Sequence, residues 1–397
     1  MQNKKKWIHK RHFIITDSLR PFFALYLKLA YNVKIEKYPV NGRQYLIIMN
    51  HQTAYDQFLV GAAFNTPVYY IASEDLFSNG WISKLLTWVV APIPIKKQTT
   101  DMRATLTSAR VAKEGGTIAV APEGNRTFSG RTEYFKPSIV KLVRLLRLPL
   151  AIFRIEDGYG VHPRWSDVIR RGSMRAYVKR VIEPEEYKAL PDDELFELIQ
   201  SELYVDESYA DKKFFHKKNA EYLERAMYVC PYCGLSNFES HGDIIECKKC
   251  GKQIRYLPTK ELEGVGFRFP FRFISGWYDH QSDFIRALDL KAYNDAPMYK
   301  EKADLYEVIL YQNKHLIKEN ADIELYGNRF VFGDLVLPFD EISVVTVLGK
   351  NKLNVYHGEK LYQLKSGKRF NALKYVNIFY HYMNIAKGDP DGKFLGL

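Results

Sequence analysis

Three groups of residues in this chain have types and spacings that could carry chemistry. The first is the stretch NHQTAYDQF, Asn50 to Phe58, in which His51 precedes Asp56 by five residues. A carboxylate beside an imidazole fixes the ring's tautomer and stabilises the imidazolium formed when the ring accepts a proton. The second is VAPEGNRTFSGR, which places Glu123, Gly124, Asn125 and Arg126 together. Glycine lets a backbone come close to a ligand, and arginine offers a planar fork suited to phosphate. The third is Cys230, Cys233, Cys247 and Cys250, a C-x2-C-x13-C-x2-C pattern. Two such pairs close a tetrahedron of four thiolates, a structural zinc site with no open coordination position. A redox pair is the competing reading, and two CxxC units at this separation argue against it.

The His–Asp pair depends on what lies between its members. In a regular helix residues five apart point about 140° away from each other, so the two would not meet. The context offers a way round this. QYLIIM (44–49) reads as a strand, and TAYDQFLVGAAF begins like a helix with Thr53 as its N-cap, so His51 lies in the joining loop and can fold back. On spacing alone, a structural histidine beside a capping aspartate is the simpler reading.

Further strands are expected at VYYIAS (68–73), TIAVA (117–121), LPLAIFRI (148–155) and MRAYVKRV (174–181), with helices at 99–116 and SIVKLVRLLR between them. Strands separated by helices predict an α/β domain over residues 1–205, with a mixed, largely parallel sheet flanked by helices. The second and third groups then fall at strand ends or in a module of their own. APIPIKKQTT leaves a short strand carrying Lys96 and Lys97, and ligands collect at strand ends in open α/β sheets. A helical linker (206–226), the four-cysteine zinc ribbon (227–256) and a further linker (257–300) follow. Residues 301–397 show six or seven short strands and a final helical segment, NALKYVNIFYHYMNI. This pattern resembles a small β-barrel or sandwich of the pleckstrin-homology-like type, capped by a helix.

Charge narrows the partners. The chain has 397 residues and a formal charge of +12, but residues 1–180 hold 29 Lys+Arg against 12 Asp+Glu, a net of +17, leaving −5 for the rest. The first half therefore attracts an anionic partner. Its opening segment follows a Lys/Arg cluster with aromatic residues, yet Asp17, Arg20, Pro21 and Lys28 interrupt the apolar run below the ~20 residues a membrane span requires. It suits a peripheral contact with an anionic membrane surface. No secretory signal is visible. All four cysteines lie within Cys230–Cys250, so a metal site in a reducing compartment is expected rather than a disulfide framework. The ribbon lacks the basic, aromatic face of a nucleic-acid reader, so nucleic acid is not the expected partner; a protein contact through the ribbon or the C-terminal domain is.

Taken together, the blocks resemble the glycerolipid acyltransferase family, which includes bacterial lysophosphatidic acid acyltransferases. NHQTAYD matches its Asn-His-x4-Asp block, APIPIKK its second block, APEGNRT its Pro-Glu-Gly-Thr-Arg-Ser block and LPLAIF its Val-Pro-Val-type block, in family order. The resemblance implies that His51 is a general base oriented by Asp56. It would deprotonate an acceptor hydroxyl that attacks the thioester of acyl-CoA or acyl-carrier protein, without an acyl-enzyme. Lys97, Glu123, Gly124, Asn125 and Arg126 would bind the acceptor, most simply the lysophospholipid 1-acyl-sn-glycerol-3-phosphate, giving phosphatidic acid. The chain departs from the pattern at Ala91, where glycine is usual, at Lys97 in place of arginine and at Asn125 in place of threonine. Lysine supplies charge without bidentate geometry, which puts the headgroup in question. The alternatives are another lyso-lipid or hydroxylated acceptor, or a non-catalytic membrane-associated lipid-binding scaffold. The expected location is cytoplasmic, peripheral on the inner face of the cell membrane.

Overall fold

The computed structural model describes residues 6–77, 80–95, 102–309, 312 and 314–394. They divide into two compact units, one of residues 1–126, 131–161 and 171–207, the other of 127–130, 162–170 and 208–397.

The first unit is built on seven strands: β1 (Val33–Ile35), β2 (Leu46–Met49), β3 (Val68–Ser73), β4 (Ile93–Ile95), β5 (Thr117–Val120), β6 (Leu150–Glu156) and β7 (Met174–Ile182). They lie in the order β1-β7-β6-β2-β5-β3-β4. The five from β6 to β4 run parallel. β7 is antiparallel to β6, and β1 is parallel to β7. The sheet is therefore mixed and largely parallel, as the alternation of apolar runs and helical patterns predicts. Strand β2 sits between β5 and β6 and all four of its residues are buried, which is why LIIM reads as a continuous apolar run rather than an alternating one.

Helices that frame this sheet include α1 (Lys10–Tyr31), α2 (Asp56–Ala63), α3 (Trp81–Val90), α4 (Met102–Lys113) and α5 (Ser138–Leu146). Ile48, Ile118 and Ile152 pack with Val111 of α4, Val140 and Val143 of α5, and Leu195 and Ile199 of helix Asp192–Leu203. Each such side chain removed from water contributes roughly 1.5–3 kcal/mol. Residues of the other parity face the opposite side, where Phe153 meets Phe64 at the end of α2, with ring centroids 6.2 Å apart. Helix α1 packs on α2 through Phe23 stacked on Phe58 at 4.4 Å and Tyr31 against Tyr55 at 5.2 Å. Arg20 Nε donates to the Gly61 carbonyl over 3.1 Å. No helix among the described residues is long and apolar enough to cross a membrane.

In the second unit, the ribbon pairs Val229–Cys230 with Gly234–Leu235 and continues into a four-stranded antiparallel sheet, Phe238–His241, Ile244–Cys247, Gln253–Tyr256 and Leu262–Gly264. The C-terminal portion is a seven-stranded antiparallel sheet whose first strand, Tyr299–Glu307, pairs with both the second, His315–Leu325, and the last, Lys360–Lys365. Helix Leu373–Ala386 covers it, with Leu373 to His381 all buried.

Two stretches differ from expectation. Between 206 and 226, where a helical linker is expected, the only helical turn is the 3-10 turn Leu223–Arg225. The charged composition favours a helix locally, but Phe214 N–H donates to Pro258 O and Ala220 N–H to Gly242 O, so backbone groups are spent on tertiary partners. Conversely, the expected linker 257–300 holds helix Ile274–Arg286. Its Trp277 is fully buried, and Gln281 accepts from Tyr228 N–H at 2.8 Å while donating to Ala226 O at 3.0 Å. This helix supports the first cysteine strand. Proline and aromatic residues upstream conceal it from a periodicity reading.

Lys374 lies buried at the start of the C-terminal helix, 2.9 Å from Glu301 and 3.9 Å above the Tyr299 ring. Burial lowers its pKa, and Glu301 opposes the shift. Removing the carboxylate strands a buried cation, so Glu301→Ala should lower stability by about 3 kcal/mol in urea unfolding, and Glu301→Ala/Lys374→Met should recover most of it. A single variant as stable as the parent would refute this role for the pair.

Candidate active site

The five strands from β6 to β4 end on the same side of the sheet, and the candidate residues follow the ends of β2, β5 and β4. Asn50 closes β2 with its side chain: Nδ2 donates to Ile155 O at 2.8 Å and Oδ1 accepts from Ile155 N–H at 2.7 Å. The fully buried amide thus continues the β2–β6 ladder beyond the last strand residue. His51 leaves the strand here, half-buried, and turns its ring back toward α2.

His51 Nδ1 lies 2.7 Å from Asp56 Oδ2. Asp56 is the first residue of α2 and is completely buried. Its Oδ2 also accepts from Gln52 N–H at 2.7 Å, and its Oδ1 from Thr53 N–H at 2.9 Å and Thr53 Oγ1 at 2.7 Å. A carboxylate can only accept, so Nδ1 carries the proton and Nε2 is the basic nitrogen of the ring. The five-residue spacing works because residues 52–55 form a turn rather than a helix. Thr53 is not the N-cap that the sequence suggests. The helix begins at Asp56 with Tyr55 at the cap position, and the Thr53 hydroxyl, placed beside a stronger acceptor, donates to the carboxylate.

Glu123 stands on the turn after β5 and is buried. Oε1 accepts from the backbone N–H of His51 and Oε2 from that of Glu133, both at 2.7 Å. Burial pushes this carboxyl well above the usual range, and the two amide bonds oppose the shift. Both oxygens are therefore occupied by backbone, and Glu123 holds the His51 loop to the end of β5. Gly124 has φ +73° with open space where a Cβ would stand, so conformation rather than room demands glycine there. Asn125 and Arg126 follow, both buried. Burial lowers the Arg126 pKa, while Asp56 and Tyr31 oppose the shift, which places its charge within their electrostatic reach. Lys96 and Lys97 lie outside the described residues; the strand that precedes them, β4, pairs with β3 at the same edge.

Sequence reasoning assigned no role to Asn50 or to the inner face of α1. The block NHQTAYD contains Asn50, and its place at a strand end before a loop is the signal that could have found it.

In the second unit, Cys230, Cys233, Cys247 and Cys250 are all free thiols whose sulfur atoms lie within 4.8 Å of one another. The Cys230–Cys250 and Cys233–Cys247 sulfurs are 3.8 and 3.6 Å apart. A tetrahedral zinc with ~2.3 Å metal–sulfur bonds requires edges of about 3.8 Å, so the four residues fit a zinc ion. His241 ends strand Phe238–His241, largely exposed and paired with Glu239, apart from this cluster.

Residues 30–156 match the sequence model of the acyltransferase family. Among solved structures, the chain is similar to the 1-acyl-sn-glycerophosphate acyltransferase PlsC of Thermotoga maritima, at 18% identity and a TM-score of 0.40, covering 48% of this chain and 78% of that one. The search of curated proteins gave no significant match.

Two outcomes follow from the geometry. Asn50→Ala leaves the N–H and C=O of Ile155 unpaired and should cost about 2 kcal/mol in thermal or urea unfolding. Purified protein should carry about one zinc per chain by elemental analysis, and Cys247→Ser should abolish retention, since three thiolates no longer close the site.

Proposed function

We infer from the acyltransferase-family match over residues 30–156 that the chain transfers a fatty acyl group from acyl-CoA or acyl-carrier protein to the free hydroxyl of a lysophospholipid, with 1-acyl-sn-glycerol-3-phosphate as the favoured acceptor. The observation that carries the reading is the 2.7 Å contact between His51 Nδ1 and the buried Asp56 carboxylate, which leaves Nε2 as a base. A lipid-binding scaffold has no need of an oriented imidazole.

In this mechanism His51 Nε2 removes the acceptor's hydroxyl proton as its oxygen attacks the thioester carbonyl. A carbon–oxygen bond forms, the carbon–sulfur bond breaks, and the imidazolium returns the proton to the departing thiolate. Asp56 stabilises the transient cation. Gly124, Asn125, Arg126 and Lys97 form the acceptor side, with the buried guanidinium suited to a phosphate. Glu123, whose oxygens both hold backbone amides, acts on the reaction by fixing His51 rather than by touching the acceptor. The substrate is a membrane lipid, and α1 is the peripheral contact with an anionic, inner-face membrane. The zinc module and C-terminal sheet serve as protein-docking elements.

Purified protein incubated with a panel of acyl donors and lyso acceptors, with products read by mass spectrometry, tests the reading. His51→Ala should lower kcat by roughly 10²–10⁴-fold. Arg126→Ala should chiefly raise KM for phosphorylated acceptors. No transfer across the panel, or full activity in His51→Ala, would sink the proposal.

A further inference from the structure

Helix α3, WISKLLTWVV, is apolar at seven of its ten positions and contains no acidic residue, yet Ser83 is its only buried residue. A helix apolar around its circumference belongs in a core or in lipid. This one lies at the surface: Trp81 is 71% exposed and Trp88 53%, with Ile82 and Leu85 also exposed. Trp81, Leu85 and Trp88 stand at i, i+4 and i+7 and so form one stripe. The helix is tied to the preceding turn by Ser83 Oγ donating to Leu76 O at 2.7 Å, while Thr87 Oγ1 donates within the helix to Ser83 O at 2.8 Å.

Helix α1 meets the end of α3. Arg11 Nε donates to Trp88 O at 3.1 Å with its guanidinium 5.5 Å from the Trp88 ring, and Trp7 Nε1 donates to Ala91 O at 3.0 Å. Along its own outer face α1 exposes Ile14, Phe22, Leu25 and Leu29. Glu74 and Asp75 stand in the turn before α3, and on the two helices themselves the exposed charges are mostly cationic. Lys10, Lys28 and Lys84 are exposed, and the single acid of α1, Asp17, is paired with Arg20 at 2.9 Å. An apolar surface with tryptophans and a lysine rim suits the headgroup–acyl boundary of an anionic bilayer. It disfavours a second copy of the same chain, whose matching face would bring like charges together.

We propose that α3 is a membrane-inserting element of this protein, which seats in an anionic phospholipid surface beside α1 with Trp81 and Trp88 as its anchors. The proposal rests on the reading of the chain as a peripheral lipid enzyme, but it requires no acyl transfer. Because α1 also packs on α2, whose first residue is Asp56, the lipid-facing surface and the catalytic loop share one support.

Vesicle binding by the full chain tests it, using phosphatidylcholine–phosphatidylglycerol vesicles with and without acyl-chain-brominated lipid. Of the five tryptophans, Trp165 and Trp277 are fully buried and Trp7 is hydrogen-bonded and half-buried, so bromine quenching reports Trp81 and Trp88. Wild type should be quenched, and Trp81→Phe/Trp88→Phe should lose most of that quenching. Trp81→Glu/Trp88→Glu should partition at least about tenfold more weakly with an unchanged circular dichroism spectrum. Binding without quenching, or undiminished partition of the glutamate variant, would overturn the role of α3 while leaving α1 as the contact. A wild type that binds neither vesicle overturns the peripheral reading as well. A lipid-free dimer that the glutamate pair converts to monomer would assign the face to a second copy instead.

Discussion

The site depends on a carboxylate held out of water. Asp56 is completely buried at the start of α2, and an isolated charge there would cost several kcal/mol. The compensation is local: Gln52 N–H, Thr53 N–H, the Thr53 hydroxyl and His51 Nδ1 all point at its two oxygens. Satisfying one side chain in this way curls residues 51–56 into a single turn. The imidazole is one of the four groups that the carboxylate collects, so its orientation and its tautomer come from the same constraint.

A second buried carboxylate fixes the same loop from outside. Glu123 ties His51 N–H to Glu133 N–H across the end of β5, and Asn50 ties the end of β2 to β6. The backbone at His51 is thus clamped toward both neighbours of β2. Catalytic geometry tolerates little displacement, and side chains that saturate backbone donors resist it better than exposed contacts do. The acidic residue of the third block thus holds the His51 loop.

The second unit uses buried cations in a comparable way. Arg225 is almost wholly buried, with Nη1 on Asp167 at 2.7 Å and on Trp165 O at 2.9 Å, and its guanidinium 4.0 Å from the Tyr222 ring. Burial alone would raise the Asp167 pKa, yet Arg225 and Lys350 hold it down at about 2. Four thiolates clustered at the turns and a helix laid across the first cysteine strand complete a rigid module.

Much of this was legible in the residues themselves. Apolar runs such as LIIM, interrupted by helical periods, determine a largely parallel sheet, because strands buried on both faces must be continuously apolar. The CxxC pairs determine a cluster of four sulfurs, since each tight turn presents two of them. The spacing of His51 and Asp56 nominated a pair but could not make one, as five residues along a helix diverge. Only the folded turn brought them into contact, and only there did Thr53 prove to be a donor to the carboxylate rather than a helix cap. Glu123 reads in the sequence as a substrate-binding residue, and only the fold shows that its oxygens also accept from two backbone amides far apart in sequence. The segment after residue 206 read as helix because local propensity cannot register distant hydrogen bonds. Sequence determined which groups this protein possesses; tertiary structure decided which of them are already spoken for, because a buried polar group takes whatever partner the fold brings within reach.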